Sequence, residues 1–195
     1  MDRRTFLAGL SGATLAVSQA RRPNVLMVSV DDMNDWVGCL NGYPGVRTPN
    51  IDRLAREGAK FTQAYVTPQC TPTRATILTG MYTARNKMWH VIPRYGYPWA
   101  RLSEPAYSDN LPRHAFTVAK GFQSAGYATA CIGKWHLTVN EDGSYASLRP
   151  QASRYYGFDV TLKPSVVKNE FGAGGDKGVN RITHESIQFI ERNKN

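Results

Sequence analysis

The chain has 195 residues, of which 42% are hydrophobic and 20% charged, and its formal net charge is +9. This composition excludes a disordered chain, and the length allows one domain or part of a larger one. The basic residues are scattered rather than gathered into a strip or a basic helix, so we expect no nucleic-acid partner; a solvated surface or an acidic substrate fits the charge.

The first twenty residues have the layout of an export signal. Arg3-Arg4 open a short, small-residue apolar stretch that ends at Ala20. The arginine pair resembles a twin-arginine signal, although Asp2 stands where Ser or Thr is more usual. We expect export by the twin-arginine machinery, to the periplasm or outside the cell; the alternative is an uncleaved amphipathic N-terminus. No apolar run reaches the roughly 18 residues of a membrane span, so no stable membrane insertion is expected.

Residues 24–30 are nearly continuously apolar and β-branched, as in a strand covered on both faces in a parallel sheet. Asp31 and Asp32 follow at its carboxyl end, where functional groups of open α/β sheets gather. Two adjacent acids there predict a site. Next, Asn50 as cap and Gly58 as stop predict a short helix, and residues 61–66 predict another strand.

The most informative motif is the pentapeptide from Cys70 to Arg74. Thr71 as cap, Pro72 at the first helical position and Gly80 as stop predict a helix, which places Cys70 at its positive end. Arg74 lies one turn later, so its guanidinium points toward the same end and can bind an oxyanion. By spacing alone, a structural cysteine or a thiol nucleophile stays open.

The second half of the chain continues to alternate strand and helix. Residues 84–111, rich in aromatics and prolines, predict a long loop near the site; residues 112–125 predict a helix and residues 127–132 a strand. A polar, Gly-rich region over 140–178 precedes a last helix at 181–192. This order predicts an α/β fold with a mostly parallel central sheet flanked by helices.

Lys134 and His136 follow the predicted strand 127–132 with one residue between them. In an extended segment both side chains point to the same side, so a cationic and a proton-bearing group can share one site. Cys131 within that strand reads as a small buried residue, as does Cys39. Three cysteines cannot all pair within one chain, so at least one thiol is free.

Four blocks resemble, in order, the type I sulfatase family of the alkaline phosphatase superfamily. They are Asn24–Asp32, Thr48–Ala55, Cys70–Gly80, and Gly126-Tyr127 with Gly133–Leu137. The resemblance covers about residues 23–195 and implies the N-terminal part of an alkaline phosphatase-like catalytic domain, incomplete at its C-terminus. From this incompleteness we expect a chain that aggregates or is at best molten, with little activity of its own.

The resemblance implies a mechanism for Cys70. In the family, a maturation enzyme oxidises the motif cysteine to Cα-formylglycine, whose hydrated aldehyde attacks the sulfur of a sulfate ester with one hydroxyl and expels the sulfate with the other. By the same resemblance, Lys134 contacts the sulfate, His136 contacts the formylglycine hydroxyl and takes part in proton transfer, and Arg74 steadies that hydroxyl.

The resemblance also implies Ca²⁺. Asp31 and Asp32 supply hard carboxylate oxygens, with residue 70 as a third ligand, and the ion binds the sulfate and acidifies the gem-diol. Further ligands, an Asp and an Asn, and a further His and Lys of the sulfate pocket come in the family from a segment downstream of Asn195.

These residues are consistent with three functions. The first is a sulfatase acting on a carbohydrate or aryl sulfate. A phosphonate or phosphate monoester hydrolase of the same superfamily is the nearest enzyme alternative, because related members share the fold and the formylglycine. A non-catalytic module that binds acidic glycans is the alternative from another class.

Overall fold

The structure is a computed structural model that describes residues 22–92, 99, 101–141, 153–162 and 178–194. It divides into two compact units, residues 1–30 and residues 31–195. In the first unit, residues 22–30 are exposed and carry no regular secondary structure. The predicted strand over 24–30 is therefore wrong. Among the described residues this segment has no partner strand, and apolar β-branched residues form a strand only where a neighbour accepts the backbone hydrogen bonds.

In the second unit, helix α1 spans Pro49–Glu57 and ends at Gly58, as predicted. Its N-cap is Thr48, and the predicted cap Asn50 lies inside the helix because Pro49 already occupies the first helical position. The predicted strand over 61–66 is wrong: these residues are exposed and irregular. As with 24–30, no described strand pairs with them.

Helix α2 spans Cys70–Thr79 and ends at Gly80, whose left-handed φ of 68° closes the helix. The predicted N-cap, Thr71, is wrong because the helix begins one residue earlier, after Gln69. Helix α3, Thr83–Asn86, is a single turn in the region predicted as a loop. The rest of that loop is irregular where it is described, and residues 93–98 and 100 lie outside the described residues.

Helix α4 spans Val118–Ser124, the second half of the predicted helix 112–125. It starts late because Thr117 is its N-cap: the Thr117 hydroxyl accepts a hydrogen bond from the Lys120 backbone N–H at 3.1 Å. Residues 113 and 114 form a turn instead. Helix α5, Val179–Asn193, matches the helix predicted at 181–192. None of the described helices is long and apolar enough to cross a membrane.

The described residues contain one sheet, of two parallel strands. Strand β1 is Ala130–Ile132, within the strand predicted at 127–132, and strand β2 is Val160–Leu162. The register pairs Cys131 with Thr161. The parallel pairing agrees with the predicted α/β class. Strand β2 is missing from the sequence prediction, which treated residues 140–178 as a polar region.

An apolar core lies beneath the segment that follows β1. Trp135 packs against Tyr156, with ring centroids 5.0 Å apart, and edge-on against Phe158 at 6.2 Å. The other buried members are Ala75, Met88, Ile92, Leu111, Ala115 and Leu137. Cys131 packs against this cluster, in agreement with its predicted burial, and burial raises the pKa of its thiol to about 11. The core thus fixes α2 and the 134–137 segment against each other.

Candidate functional site

Cys70 is the first residue of the ten-residue helix α2, at the end where backbone N–H groups and the helix dipole favour negative charge. It is partly exposed and unpaired. Gln69, immediately before it, has a φ of 73°, which side chains other than glycine seldom adopt. The chain therefore turns sharply into α2 and leaves residue 70 at its mouth.

Arg74 lies one helical turn after Cys70, as the spacing predicted, and bridges two other segments. One guanidinium nitrogen donates to the Lys134 carbonyl at 2.7 Å, and another lies 3.3 Å from Asp31 Oδ1. Its side chain is only 17% exposed. A planar guanidinium can hold two acceptors at a fixed angle, so Arg74 joins α2 to the segments that carry the predicted carboxylate and lysine.

Lys134 is the central cation of the cluster. Its ammonium Nζ donates to Asp31 Oδ2 at 2.6 Å and to Cys70 Sγ at 3.3 Å, and Cys70 Sγ lies 3.8 Å from the same Asp31 oxygen. The hydrogen bond from Lys134 lowers the pKa of Asp31 below its usual range. Burial acts to lower the pKa of Lys134, but its bonds to Asp31 and Cys70 outweigh burial and raise it. Both groups are therefore held in their charged forms at neutral pH.

Asp32 joins Asp31 and Cys70 in one group. A carboxylate oxygen from each aspartate and the sulfur of Cys70 all lie within 4.8 Å of one another. Both aspartates are exposed, and Asp32 has a left-handed φ of 53°. Carboxylate oxygens are the ligands that hard divalent cations prefer, and the ammonium on Asp31 shows that these oxygens attract positive charge. In donor type the two carboxylates fit a calcium ion, and residue 70 would fit only with an oxygen in place of its sulfur.

His136 is 8% exposed and lies beneath the site. Its Nε2 is 2.6 Å from the Ile92 carbonyl oxygen, which brings the described part of the aromatic loop to the site, as predicted. Burial lowers the pKa of His136, and the nearby charges of Lys134 and Arg74 lower it further. Lys134 and His136 were expected to point to the same side because the backbone between them would be extended, and this premise is wrong. Residue 136 has a left-handed φ of 58°, so the segment is not extended there.

Sequence reasoning missed the residues that tie these segments together. Thr71, expected to cap α2, is fully buried, and its hydroxyl donates to the His136 carbonyl at 3.0 Å. The same hydroxyl accepts from the Ile92 backbone N–H at 3.3 Å. A buried hydroxyl in a helix cap motif has no sequence signal that separates it from an ordinary cap.

The site therefore combines a partly exposed thiol-bearing residue, two cations and two carboxylates with a buried imidazole nearby. Arg74 and Lys134 provide positive charge for an anionic group, and His136 is held largely neutral by its lowered pKa. Such an arrangement can bind an oxyanion at residue 70 and move a proton beside it.

Several known proteins are similar in sequence to most of this chain. The family model described as Sulfatase matches residues 23–194. Human steryl-sulfatase is 37% identical over 179 residues, which are 88% of this chain and 29% of that protein. Human arylsulfatase A is 37% identical over 156 residues, 79% of this chain and 28% of that protein. The chain thus spans less than a third of these two curated relatives.

A solved structure gives the same likeness in three dimensions. It comes from work on the metabolism of multiple glycosaminoglycans by Bacteroides thetaiotaomicron, is 33% identical and has a TM-score of 0.50. The match covers 68% of this chain and 26% of that one.

Proposed function

The chain belongs to the sulfatase family, and from that premise we propose that it carries the nucleophile half of a site that hydrolyses sulfate esters. The observation that carries the proposal is the convergence on Cys70: Lys134 Nζ lies 3.3 Å from its sulfur, and both Lys134 and Arg74 contact Asp31. Residues from three distant parts of the sequence meet at the motif cysteine.

Residue 70 acts as the nucleophile after conversion by a maturation enzyme to Cα-formylglycine, which supplies the hydroxyl groups for nucleophilic chemistry. Its place supports this role, because it is partly exposed at the positive end of α2. A developing negative charge there is stabilised by free backbone N–H groups.

Asp31, Asp32 and an oxygen of residue 70 would hold Ca²⁺, whose charge attracts the sulfate and acidifies a bound hydroxyl. The described residues bring the two carboxylates and the sulfur of Cys70 into one group, and conversion of Cys70 would put an oxygen in place of the sulfur. Three donors are fewer than the roughly six to eight oxygens that Ca²⁺ takes.

The remaining residues bind the substrate and move protons. Lys134 contacts the sulfate oxygens, and Arg74 holds the residue-70 hydroxyl while its other nitrogen keeps the Lys134 backbone in place. His136, kept largely neutral by burial, exchanges a proton with that hydroxyl.

A sulfate of a ring-bearing alcohol, carbohydrate or aryl, is the substrate class we propose. The names of the human relatives, steryl-sulfatase and arylsulfatase A, and the glycosaminoglycan context of the solved structure support a ring. The sequence 84–111 is rich in aromatic residues that could stack on a ring, and Ile92 within it contacts His136. Arg3-Arg4 support export through the twin-arginine machinery to the periplasm or outside the cell; they lie outside the described residues.

The test replaces the proposed nucleophile. Because little activity is expected of the chain by itself, a completed protein that contains it is produced with and without a formylglycine-generating enzyme and assayed on a chromogenic aryl sulfate and the matching aryl phosphate. We expect turnover of the sulfate only after maturation, and a loss of about a thousandfold or more in Cys70→Ala. Cys39→Ala, which removes a partly exposed thiol outside the site, is the matched control and keeps its activity.

Each alternative has its own outcome in this assay. Faster turnover of the phosphate would make the protein a phosphate monoester hydrolase. Retained binding of a sulfated polysaccharide by Cys70→Ala, with no turnover by any variant, would make it a glycan-binding module. Unchanged turnover in Cys70→Ala would remove residue 70 from the mechanism.

A further inference from the structure

The hydroxyl of Thr71 links three segments that meet beneath the site. Thr71 directly follows the proposed nucleophile and is 0% exposed. It donates to the His136 carbonyl on one side and accepts from the Ile92 backbone N–H on the other. One side chain thus uses both of its hydrogen-bonding capacities on backbone groups from outside its own helix.

The same three residues close a ring of hydrogen bonds. The Ile92 carbonyl oxygen lies 2.6 Å from His136 Nε2. A carbonyl oxygen can only accept, so Nε2 must carry a hydrogen, and in a neutral imidazole the lone pair then belongs to Nδ1. The backbone of Ile92 therefore selects the tautomer of His136, and Thr71 holds the backbone of Ile92.

The backbone of His136 also needs support. Its φ of 58° lies in the left-handed region, which is unfavourable for a residue with a Cβ. Such conformations persist only when surrounding contacts over-determine them. The bond from Thr71 to the carbonyl of the same residue, buried from solvent, is a contact of that kind.

We propose that Thr71 is a positioning residue: its hydroxyl holds His136 in the left-handed conformation and as the Nε2–H tautomer, so that Nδ1 is the nitrogen that accepts a proton during turnover. The role in turnover rests on the proposed function, whereas the tautomer does not. The two can therefore fail separately.

The experiment compares Thr71→Val, which keeps the shape but loses the hydroxyl, with Thr71→Ser, which keeps the hydroxyl. Thr79→Val is the matched control, because Thr79 lies on the same helix and its hydroxyl also makes two backbone bonds, to the Ala75 carbonyl and from the Met81 N–H. Ring ¹⁵N spectra, assigned with His136→Gln, report the tautomer. Turnover is divided by the fraction of chains that carry the aldehyde at residue 70.

We expect the Nε2–H pattern in the wild type, Thr71→Ser and Thr79→Val, and a mixture of tautomers in Thr71→Val. In Thr71→Val, kcat should fall roughly tenfold to a hundredfold while KM changes by less than about threefold. Thr71→Ser should retain most of kcat.

A wild-type spectrum with the Nδ1–H pattern would overturn the inference even if Thr71→Val does not fold. An unchanged pattern in folded Thr71→Val, or an equal loss in Thr79→Val, would also overturn it. If no variant, including the wild type, turns over a sulfate ester, the proposed function fails and the spectra still decide the tautomer.

Discussion

At the scale of single residues, the site depends on Lys134, whose ammonium contacts both Asp31 and Cys70. Both bonds lie on the exposed side of the site, and the side chain of Lys134 is 32% exposed. An exposed ion pair contributes little to stability, so the energetic value of this contact lies in the charge it brings to residue 70.

Lys134→Met should therefore remove activity and leave the fold intact. The methionine keeps an unbranched chain of similar length but no charge, so we expect kcat/KM on an aryl sulfate to fall about a hundredfold or more. Lys60→Met is the control, since the Lys60 ammonium binds the Cys39 carbonyl instead. Steady-state kinetics at equal aldehyde content checks this, and equal losses in both variants would contradict the role of Lys134.

The residues of the site were not equally predictable from the sequence. Arg74 was predictable because helical geometry fixes where a side chain four residues after Cys70 points. His136 was expected at the site, but its backbone conformation was not, because no pattern in Gly133–Leu137 signals a single left-handed residue. Thr71 was read as a cap, since its tertiary bonds to His136 and Ile92 have no local signature.

At the scale of elements, helices were easier to predict than strands. The ends of α1 and α2 follow local signals, Gly58 and Gly80, that act within one turn. Strands depend on partners elsewhere in the sequence, so residues 24–30 and 61–66 had the composition of strands without forming them. Strand β2 has only three residues, and it forms because it pairs with Ala130–Ile132.

The turn before β2 packs directly onto α4. Gly157 has a φ of 82°, and a Cβ built there would lie 2.4 Å from the Lys120 backbone nitrogen. Gly157→Ala should thus destabilise the chain by about 2 kcal/mol or more, from strain plus the clash. Gly45→Ala is the matched control, because Gly45 has a φ of 83° and nothing within 4 Å of the added Cβ.

Hydrogen exchange of the peptide that covers α4 measures this effect. Exchange should accelerate in Gly157→Ala and stay near the wild-type rate in Gly45→Ala. Equal rates in the two variants would mean that the close approach to Lys120 has no energetic weight.

Asp159 anchors the start of both strands. Its carboxylate accepts from the Thr129 backbone N–H at 2.9 Å and from Gln123 at 2.7 Å. Burial acts to raise the pKa of Asp159, but these hydrogen bonds outweigh burial and lower it. A carboxyl group whose pKa is lowered by folding stabilises the fold at any pH above its pKa in the unfolded chain, about 3.9. This stabilisation is lost as the pH falls through the pKa of the folded chain.

Asp159→Asn keeps one acceptor oxygen and should cost about 1–2 kcal/mol at pH 7. The difference from the wild type should shrink as the pH falls from about 3.9 through the lower pKa of the folded state, where the wild-type carboxylate is itself protonated. Urea unfolding of the dilute chain, followed by tryptophan fluorescence, measures both. A difference that is independent of pH would show that the charge of Asp159 is not involved.

At the scale of the whole molecule, large apolar side chains are exposed in both units. In the first, Leu26 is 68% and Val28 74% exposed; in the second, Phe61 is 78% and Tyr65 85% exposed. Exposed large apolar side chains in such numbers favour association. The formal net charge of +9 opposes it only at low ionic strength, because salt screens repulsion between exposed charges.

We therefore expect the chain to associate at micromolar concentration and to bind a hydrophobic dye. Leu26→Asp with Val28→Asp should reduce both, because two apolar side chains are removed from the exposed segment. Ser29→Asp, which adds charge to the same segment and removes no apolar side chain, is the control. Sedimentation velocity measures the change, and a monomeric wild type with a sharp thermal transition would contradict the expectation.

Because the chain has three unpaired cysteines, a count of reactive thiols reports whether residue 70 has been converted. All three are partly exposed, but only Cys131 packs against the core, where burial raises the pKa of its thiol to about 11. An alkylating reagent at neutral pH reacts with thiolates, so it should spare Cys131 until the chain unfolds. Two fast-reacting thiols then report an unconverted chain and one reports a converted chain, so a simple colorimetric titration can follow maturation without a substrate.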